Sequence, residues 1–174
     1  QSLRAQTQFV SAFAQRYRDV DDLVWDLINE PSFCSPEHLW SCRPNYDEHE
    51  KTAWQQWLKE RYPAASDEER TIHLQELWRT TNSDASLMEL PGLRDFESTN
   101  IFEDRQPLKT LDYRLFAQDM FARWVRTMTA AIRSNGNQEQ LITVGQDEGG
   151  LGDSPNPHFF AGTVDFTCMH NWWN

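Results

Sequence analysis

The chain has 174 residues, the size of one domain, and is too short for a complete eight-fold α/β barrel of about 250 residues. It carries 27 Asp and Glu against 16 Lys and Arg, a net charge of −11. Such a surface repels phosphate groups, so we expect neither nucleic acid nor a membrane surface as a partner. The sequence shows no apolar run of the ~18 residues that a membrane span needs and no signal peptide at its N-terminus, and it assigns no compartment, with a secreted or periplasmic location favoured.

The first thirty residues predict a helix followed by a buried strand. Residues 3–18 carry apolar side chains at helical spacing, which predicts an amphipathic helix. Residues 23–28 are apolar on both faces apart from Asp26, a pattern typical of a parallel strand covered on both sides. We expect this strand to end at Asn29-Glu30-Pro31, because proline cannot continue it.

Residues 31–109 are predicted to be a long segment without strands, inserted before the next strand. The pattern predicts a proline-rich loop and then two helices, one ending before Pro63 and one beginning near Ser66. Residues 83–109 are predicted to be irregular, with Pro91-Gly92 and Pro107 as breakers.

The rest of the chain alternates helix and strand. We predict a helix over 110–134, a buried strand over 141–144, a helical turn within 156–161 and a third strand over 164–170. Buried strands that alternate with helices indicate a parallel α/β sheet or barrel.

Polar residues fall at the predicted carboxyl ends of these strands, where α/β folds place their sites. Glu30 is the predicted catalytic group, since a partly desolvated carboxyl group has a raised pKa and can hold a proton near neutrality. Asn29 beside it offers an amide that can hold a hydroxyl group. His170 and Trp172 lie two residues apart, so in an extended chain they would point the same way and supply a polar contact and a stacking face.

These motifs resemble those of clan A retaining glycoside hydrolases, whose members are (β/α)8 barrels. Residues 24–31 (VWDLINEP) resemble the fourth-strand signature, in which the Asn-Glu pair holds the acid/base glutamate. Residues 141–149 are similar to the fifth strand of family 5 mannanases, and 164–172 resemble the sixth strand, where His-x-Tyr or His-x-Trp lines the cleft. The segment 53–78 is similar to one found in family 42 β-galactosidases.

The resemblance implies hydrolysis of a β-glycosidic bond with retention. Glu30 would protonate the leaving oxygen and then deprotonate the water that breaks the glycosyl-enzyme. The nucleophile would be a second carboxylate at the end of a seventh strand, and no residue of this chain matches it. We therefore expect residues 1–174 to be a central part of a (β/α)8 barrel, with 31–109 as a long insertion, and to be inactive alone.

The resemblance also sets the expected ligands. The substrate would be a β-linked oligo- or polysaccharide, with mannanase or cellulase activity favoured over β-galactosidase activity, and no cofactor or metal is expected. The other partner would be the remainder of the same barrel. A different class of function stays open, a carbohydrate-binding barrel without catalysis or an inactive fragment.

The remaining substrate-binding predictions have structural alternatives. Trp40, in the loop after Glu30, could stack on a sugar. Glu148 could reach the site or be a solvated loop acid. Four further tryptophans sit in helical stripes and are expected in the core: Trp54, Trp57, Trp78 and Trp124.

The cysteines leave three alternatives open. Cys34 and Cys42 lie in the same loop with His38 between them, which suits a loop disulfide, two unpaired thiols or a zinc site that lacks the usual Cys-x-x-Cys pair. Cys168 lies in a predicted strand and is expected to be a buried thiol.

Overall fold

Four α-helices and three strands occur in the part of the chain that the computed structural model describes, residues 2–33, 42–80, 85–96, 106–146 and 154–170. They are α1 (Ser2–Arg16), β1 (Val24–Asn29), α2 (Glu48–Arg61), α3 (Asp67–Leu77), α4 (Pro107–Asn135), β2 (Leu141–Gln146) and β3 (Cys168–Met169). Short 3₁₀ helices lie at Ala85–Met88, Leu93–Phe96 and Pro157–Phe159. The chain divides into two compact units, unit one with residues 1–33 and 118–174 and unit two with residues 34–117.

The strands of unit one form a parallel sheet in the order β1-β2-β3, as the alternating pattern predicts. The third strand is shorter than the predicted 164–170. Before β3 begins, Asp165 binds Ile142 of β2 through both its side chain and its main chain. Its carboxylate accepts the N–H of Ile142 at 2.6 Å, and its own N–H donates to the Ile142 carbonyl at 2.9 Å. This local exchange displaces the regular ladder, which confines β3 to Cys168–Met169.

One face of the sheet carries the core of unit one. Val125 of α4 packs with Val144 and Phe160, and Ile132 packs with Ala14 of α1 and with Ile142. All six of these side chains are fully buried.

The prediction that β1 is covered on both faces is wrong for this structure. Trp25 and Leu27 pack against the core clusters, whereas Val24 and Ile28 are 49% and 38% exposed. In a barrel, the second face of each strand points to an interior that side chains from several strands fill in layers. Among the described residues nothing covers this face. α1 likewise forms as predicted, with Phe9 still 65% exposed.

Unit two is built around stacked tryptophans. The Trp54 ring lies 5.5 Å from Trp57 and 6.4 Å from Trp78, nearly parallel to both, and Phe116 meets Trp54 edge to face. These three tryptophans are buried, which confirms the core prediction for them. Trp124 is half-buried against the core of unit one.

The helix ends follow local chemistry with one exception. The side chains of Asp47 and Ser66 accept N–H groups at the starts of α2 and α3, and α2 ends at Arg61, as expected before Pro63. The sequence predicts that Pro107 interrupts regular structure, whereas in the structure it is the first residue of α4. Proline is favoured there, because the first turn of a helix does not use its N–H groups and the fixed φ suits the helix.

Cys168 is half-buried rather than buried. Its thiol donates to the Val144 carbonyl at 3.4 Å and lies 3.8 Å from the Thr143 hydroxyl. Cys42 is buried, whereas Cys34 and His38 lie outside the described residues, so the pairing of the loop cysteines stays a prediction. No helix of the described segments combines the length and the apolar character needed to cross a bilayer.

Lys109 is a buried cation in unit two. Only 5% of the residue is exposed, and its ammonium group lies 5.5 Å from the centre of the Trp78 ring. Burial lowers the pKa of Lys109 from 10.5 to about 8, although the nearby charges of Asp95 and Glu89 act in the opposite direction. The folded state therefore binds this proton more weakly than the unfolded state does.

We expect Lys109→Met to stabilise the protein at pH 7 and to remove part of its pH dependence. Between pH 8 and 10.5 the unfolded state holds more protons than the folded state, so the free energy of unfolding rises with pH there. The pKa difference corresponds to about 3 kcal/mol, which is the upper limit of the gain at pH 7. Urea denaturation at pH 7, 8 and 9.5 checks this expectation. Equal pH slopes for the variant and the parent protein would contradict it.

Candidate functional site

Glu30 and His170 lie side by side at the carboxyl ends of the parallel strands. Glu30 follows β1 and His170 follows β3, and His170 Nδ1 is 2.6 Å from Glu30 Oε1. The two side chains are 28% and 29% exposed. The structure thus joins two predicted site residues that are 140 positions apart in the sequence.

Consecutive residues at the end of β2 anchor this pair. The Glu30 N–H donates to the Gly145 carbonyl at 2.7 Å, and the His170 N–H donates to the Gln146 carbonyl at 2.9 Å. Because both main-chain bonds end on neighbouring residues of the central strand, they bring the two side chains together.

Glu30 has a main-chain conformation that is rare for a residue with a side chain. Its φ angle is 48°, in the left-handed region. Such a conformation costs about 1–3 kcal/mol and persists only where surrounding contacts hold it, which is common at functional sites.

Asn29 ends β1 and lies beside Gly145 in the sheet register. Its side chain is exposed, and no hydrogen bond within the described segments uses its amide group. The contact of this amide with a ligand hydroxyl group stays a prediction. The other predicted substrate-binding residues, Trp40, Glu148 and Trp172, lie outside the described residues and stay predictions.

The Glu30–His170 contact can hold a proton in two ways. A neutral imidazole can donate Nδ1–H to the Glu30 carboxylate, or Nδ1 can accept a proton from the carboxylic acid. In both arrangements Oε1 is the Glu30 oxygen that contacts the imidazole. His170 contacts Glu30 in this structure, and its contact with substrate stays a prediction.

A metal ligand set does not occur in the part of the chain described here, where no three His, Cys, Asp or Glu side chains come close enough together.

The sequence does not predict the contact between Asp26 and Gly145, which lies next to Glu30 in the structure. Oδ1 of Asp26 accepts the Gly145 N–H at 2.8 Å. The available signal was Asp26 itself, the one acidic residue in an otherwise apolar strand.

Comparison with known proteins gives one family. The family model described as Glyco_hydro_42, Beta-galactosidase, matches residues 3–174. No curated protein sequence matches the chain.

Solved structures that share the fold include two beta-galactosidases. A polyextremophilic beta-galactosidase from the Antarctic haloarchaeon Halorubrum lacusprofundi aligns with a TM-score of 0.68 and 19% identity over 95% of this chain and 22% of its own. A beta-galactosidase from the psychrophilic Marinomonas ef1 aligns with a TM-score of 0.71 and 16% identity over 98% of this chain and 24% of its own. The chain thus spans about a quarter of either protein. The predicted fold class, part of a (β/α)8 barrel, is confirmed.

Proposed function

This chain belongs to glycoside hydrolase family 42, and on that basis we propose that the full-length protein hydrolyses β-galactosides with retention of configuration. Glu30 is the acid/base residue of the proposal. It protonates the glycosidic oxygen as the leaving group departs, and then removes a proton from the water that releases the sugar from the enzyme.

The contact between Glu30 and His170 is the observation that carries this role. An acid/base residue changes its protonation state twice in each cycle, and His170 offers Glu30 a partner in either state at 2.6 Å. The main-chain bond from Glu30 to Gly145 fixes where the carboxyl group leaves the sheet. In the proposal, the amide of Asn29, the residue before Glu30, binds a substrate hydroxyl group.

The nucleophile is assigned to a carboxylate outside this chain. Retention needs two carboxyl groups about 5–5.5 Å apart on opposite sides of the scissile bond. The likeness of the chain to a quarter of two longer proteins is consistent with a second carboxylate on another barrel strand.

The family match favours a galactoside over the mannan or cellulose that the strand motifs suggested. Those motifs cover the shared strand ends of the clan, whereas the match to family 42 extends over residues 3–174.

The test assays full-length protein on matched aryl β-galactoside, β-mannoside and β-cellobioside, with proton NMR of the first sugar released. We expect the galactoside to be cleaved fastest and the β-anomer to appear first. Initial α-anomer would overturn the retaining mechanism, and a faster mannoside or cellobioside would overturn the substrate. Sugar binding without hydrolysis would favour the non-catalytic barrel over an enzyme.

A further inference from the structure

The pairing of β1 with β2 is irregular just before Glu30. Asp26 lies beside Thr143 and Asn29 lies beside Gly145, so β1 advances three residues while β2 advances two. An extra residue of this kind is a bulge, which bends a strand and changes the direction of the side chains that follow.

The carboxylate of Asp26 occupies the space beside Gly145. A Cβ atom built on Gly145 would lie 2.7 Å from Oδ2, 3.3 Å from Oδ1 and 3.4 Å from Cγ of Asp26, its three nearest neighbours. The backbone of Gly145 does not require glycine, because its φ angle is not positive. Contact with Asp26 therefore explains why this position has no side chain.

Both main-chain polar groups of Gly145 are bound by residues in or directly after β1. The Gly145 N–H donates to Oδ1 of Asp26 at 2.8 Å, and the Gly145 carbonyl accepts the N–H of Glu30 at 2.7 Å. The next residue, Gln146, holds the main chain of His170. A displacement of Gly145 would move the anchor of the acid and would also disturb the anchor of its partner.

We propose that Asp26 is a positioning residue that acts through Gly145 on Glu30. Its carboxylate fixes Gly145 at the bulge, and Gly145 holds Glu30 in the left-handed conformation that places its carboxyl group against His170. The inference rests on the proposed role of Glu30 as the acid/base residue. It requires that the effect of a side chain at position 145 on the catalytic rate depend on which residue occupies position 26.

A double-mutant cycle on the full-length protein tests this coupling, with Asp26→Ala, Gly145→Ala and the double variant. The rates are measured on an unactivated β-galactoside, whose leaving group needs protonation, and on an activated aryl β-galactoside. We expect each single variant to lower kcat/KM on the unactivated substrate about tenfold or more and to leave kcat/KM on the activated substrate nearly unchanged, because kcat/KM reports formation of the glycosyl-enzyme and not its breakdown. The double variant should be no slower than the slower single variant, since alanine at 145 has room once the carboxylate is gone.

Two controls separate positioning from general damage. Gly162→Ala adds a Cβ that meets nothing within 4 Å and should leave every rate unchanged. Asp26→Asn keeps an oxygen that can accept the Gly145 N–H and should recover most of the rate that Asp26→Ala loses. If Asp26→Ala does not fold, Asp26→Ser carries the same cycle.

Losses that multiply in the double variant would overturn the proposal, as would equal losses on both substrates or a lack of recovery by Asp26→Asn. Failure of the proposed function would look different. In that case Glu30→Gln would fail to separate the two substrates, whatever the Asp26 variants do.

Discussion

Glu30→Gln in the full-length protein is expected to slow the hydrolysis of unactivated β-galactosides by about 10²–10⁴-fold. The amide has nearly the shape of the carboxylic acid but cannot deliver a proton to the departing oxygen. An activated aryl leaving group departs with little protonation, so formation of the glycosyl-enzyme should stay fast on such a substrate. Breakdown of that intermediate should be slow, because no carboxylate activates the water.

The measurement is rapid-mixing kinetics with an activated aryl β-galactoside. We expect a burst of aryl alcohol equal to the enzyme concentration, followed by slow turnover. Asp22→Asn, at an exposed position just before β1, is the matched control and should behave like the parent protein. Equal loss of both phases in Glu30→Gln would contradict the acid/base assignment.

Asp112→Ala is expected to lower the free energy of unfolding by about 2–4 kcal/mol, through the loss of a buried acceptor in unit two. Asp112 is 5% exposed, and its carboxylate accepts the Trp78 indole N–H at 2.8 Å and the Tyr62 hydroxyl at 2.8 Å. Burial raises the pKa of Tyr62, and the Asp112 carboxylate acts in the same direction, so the phenol stays a donor. Without Asp112, both donors lose their acceptor, and the indole N–H is deep in the core.

Urea denaturation followed by tryptophan fluorescence measures this loss, since Trp54, Trp57 and Trp78 report on the same unit. Tyr62→Phe removes one of the two donors and should cost about 1 kcal/mol. Asp21→Ala, at an exposed aspartate, should stay within about 0.5 kcal/mol of the parent protein. A loss below 1 kcal/mol for Asp112→Ala would show that the network does not stabilise unit two.

Local chemistry made much of the fold predictable. Helical spacing located α1, α2 and α3, and the buried runs located β1 and β2, because each pattern is written within one element. Glu30 could be placed at the end of β1 for the same reason, since Pro31 directly follows it.

Long-range register was not predictable from one sequence. The meeting of Glu30 with His170 depends on how β1 and β3 align against β2, and no local pattern encodes that alignment. Asp26 showed the same limit. It was visible as an acid in an apolar strand, but its partner Gly145 is 119 residues away. The exposed face of β1 also depends on neighbouring strands rather than on its own composition.

Azide rescue of Glu30→Ala tests whether Glu30 is the acid/base residue. Removing the acid/base side chain opens the face of the sugar from which water attacks the glycosyl-enzyme, and azide needs no general base to attack there. On an activated aryl β-galactoside we expect azide to accelerate turnover and to give β-galactosyl azide, with configuration retained. An α-galactosyl azide would instead identify Glu30 as the nucleophile, and the absence of any azide product or acceleration would contradict its role in the reaction.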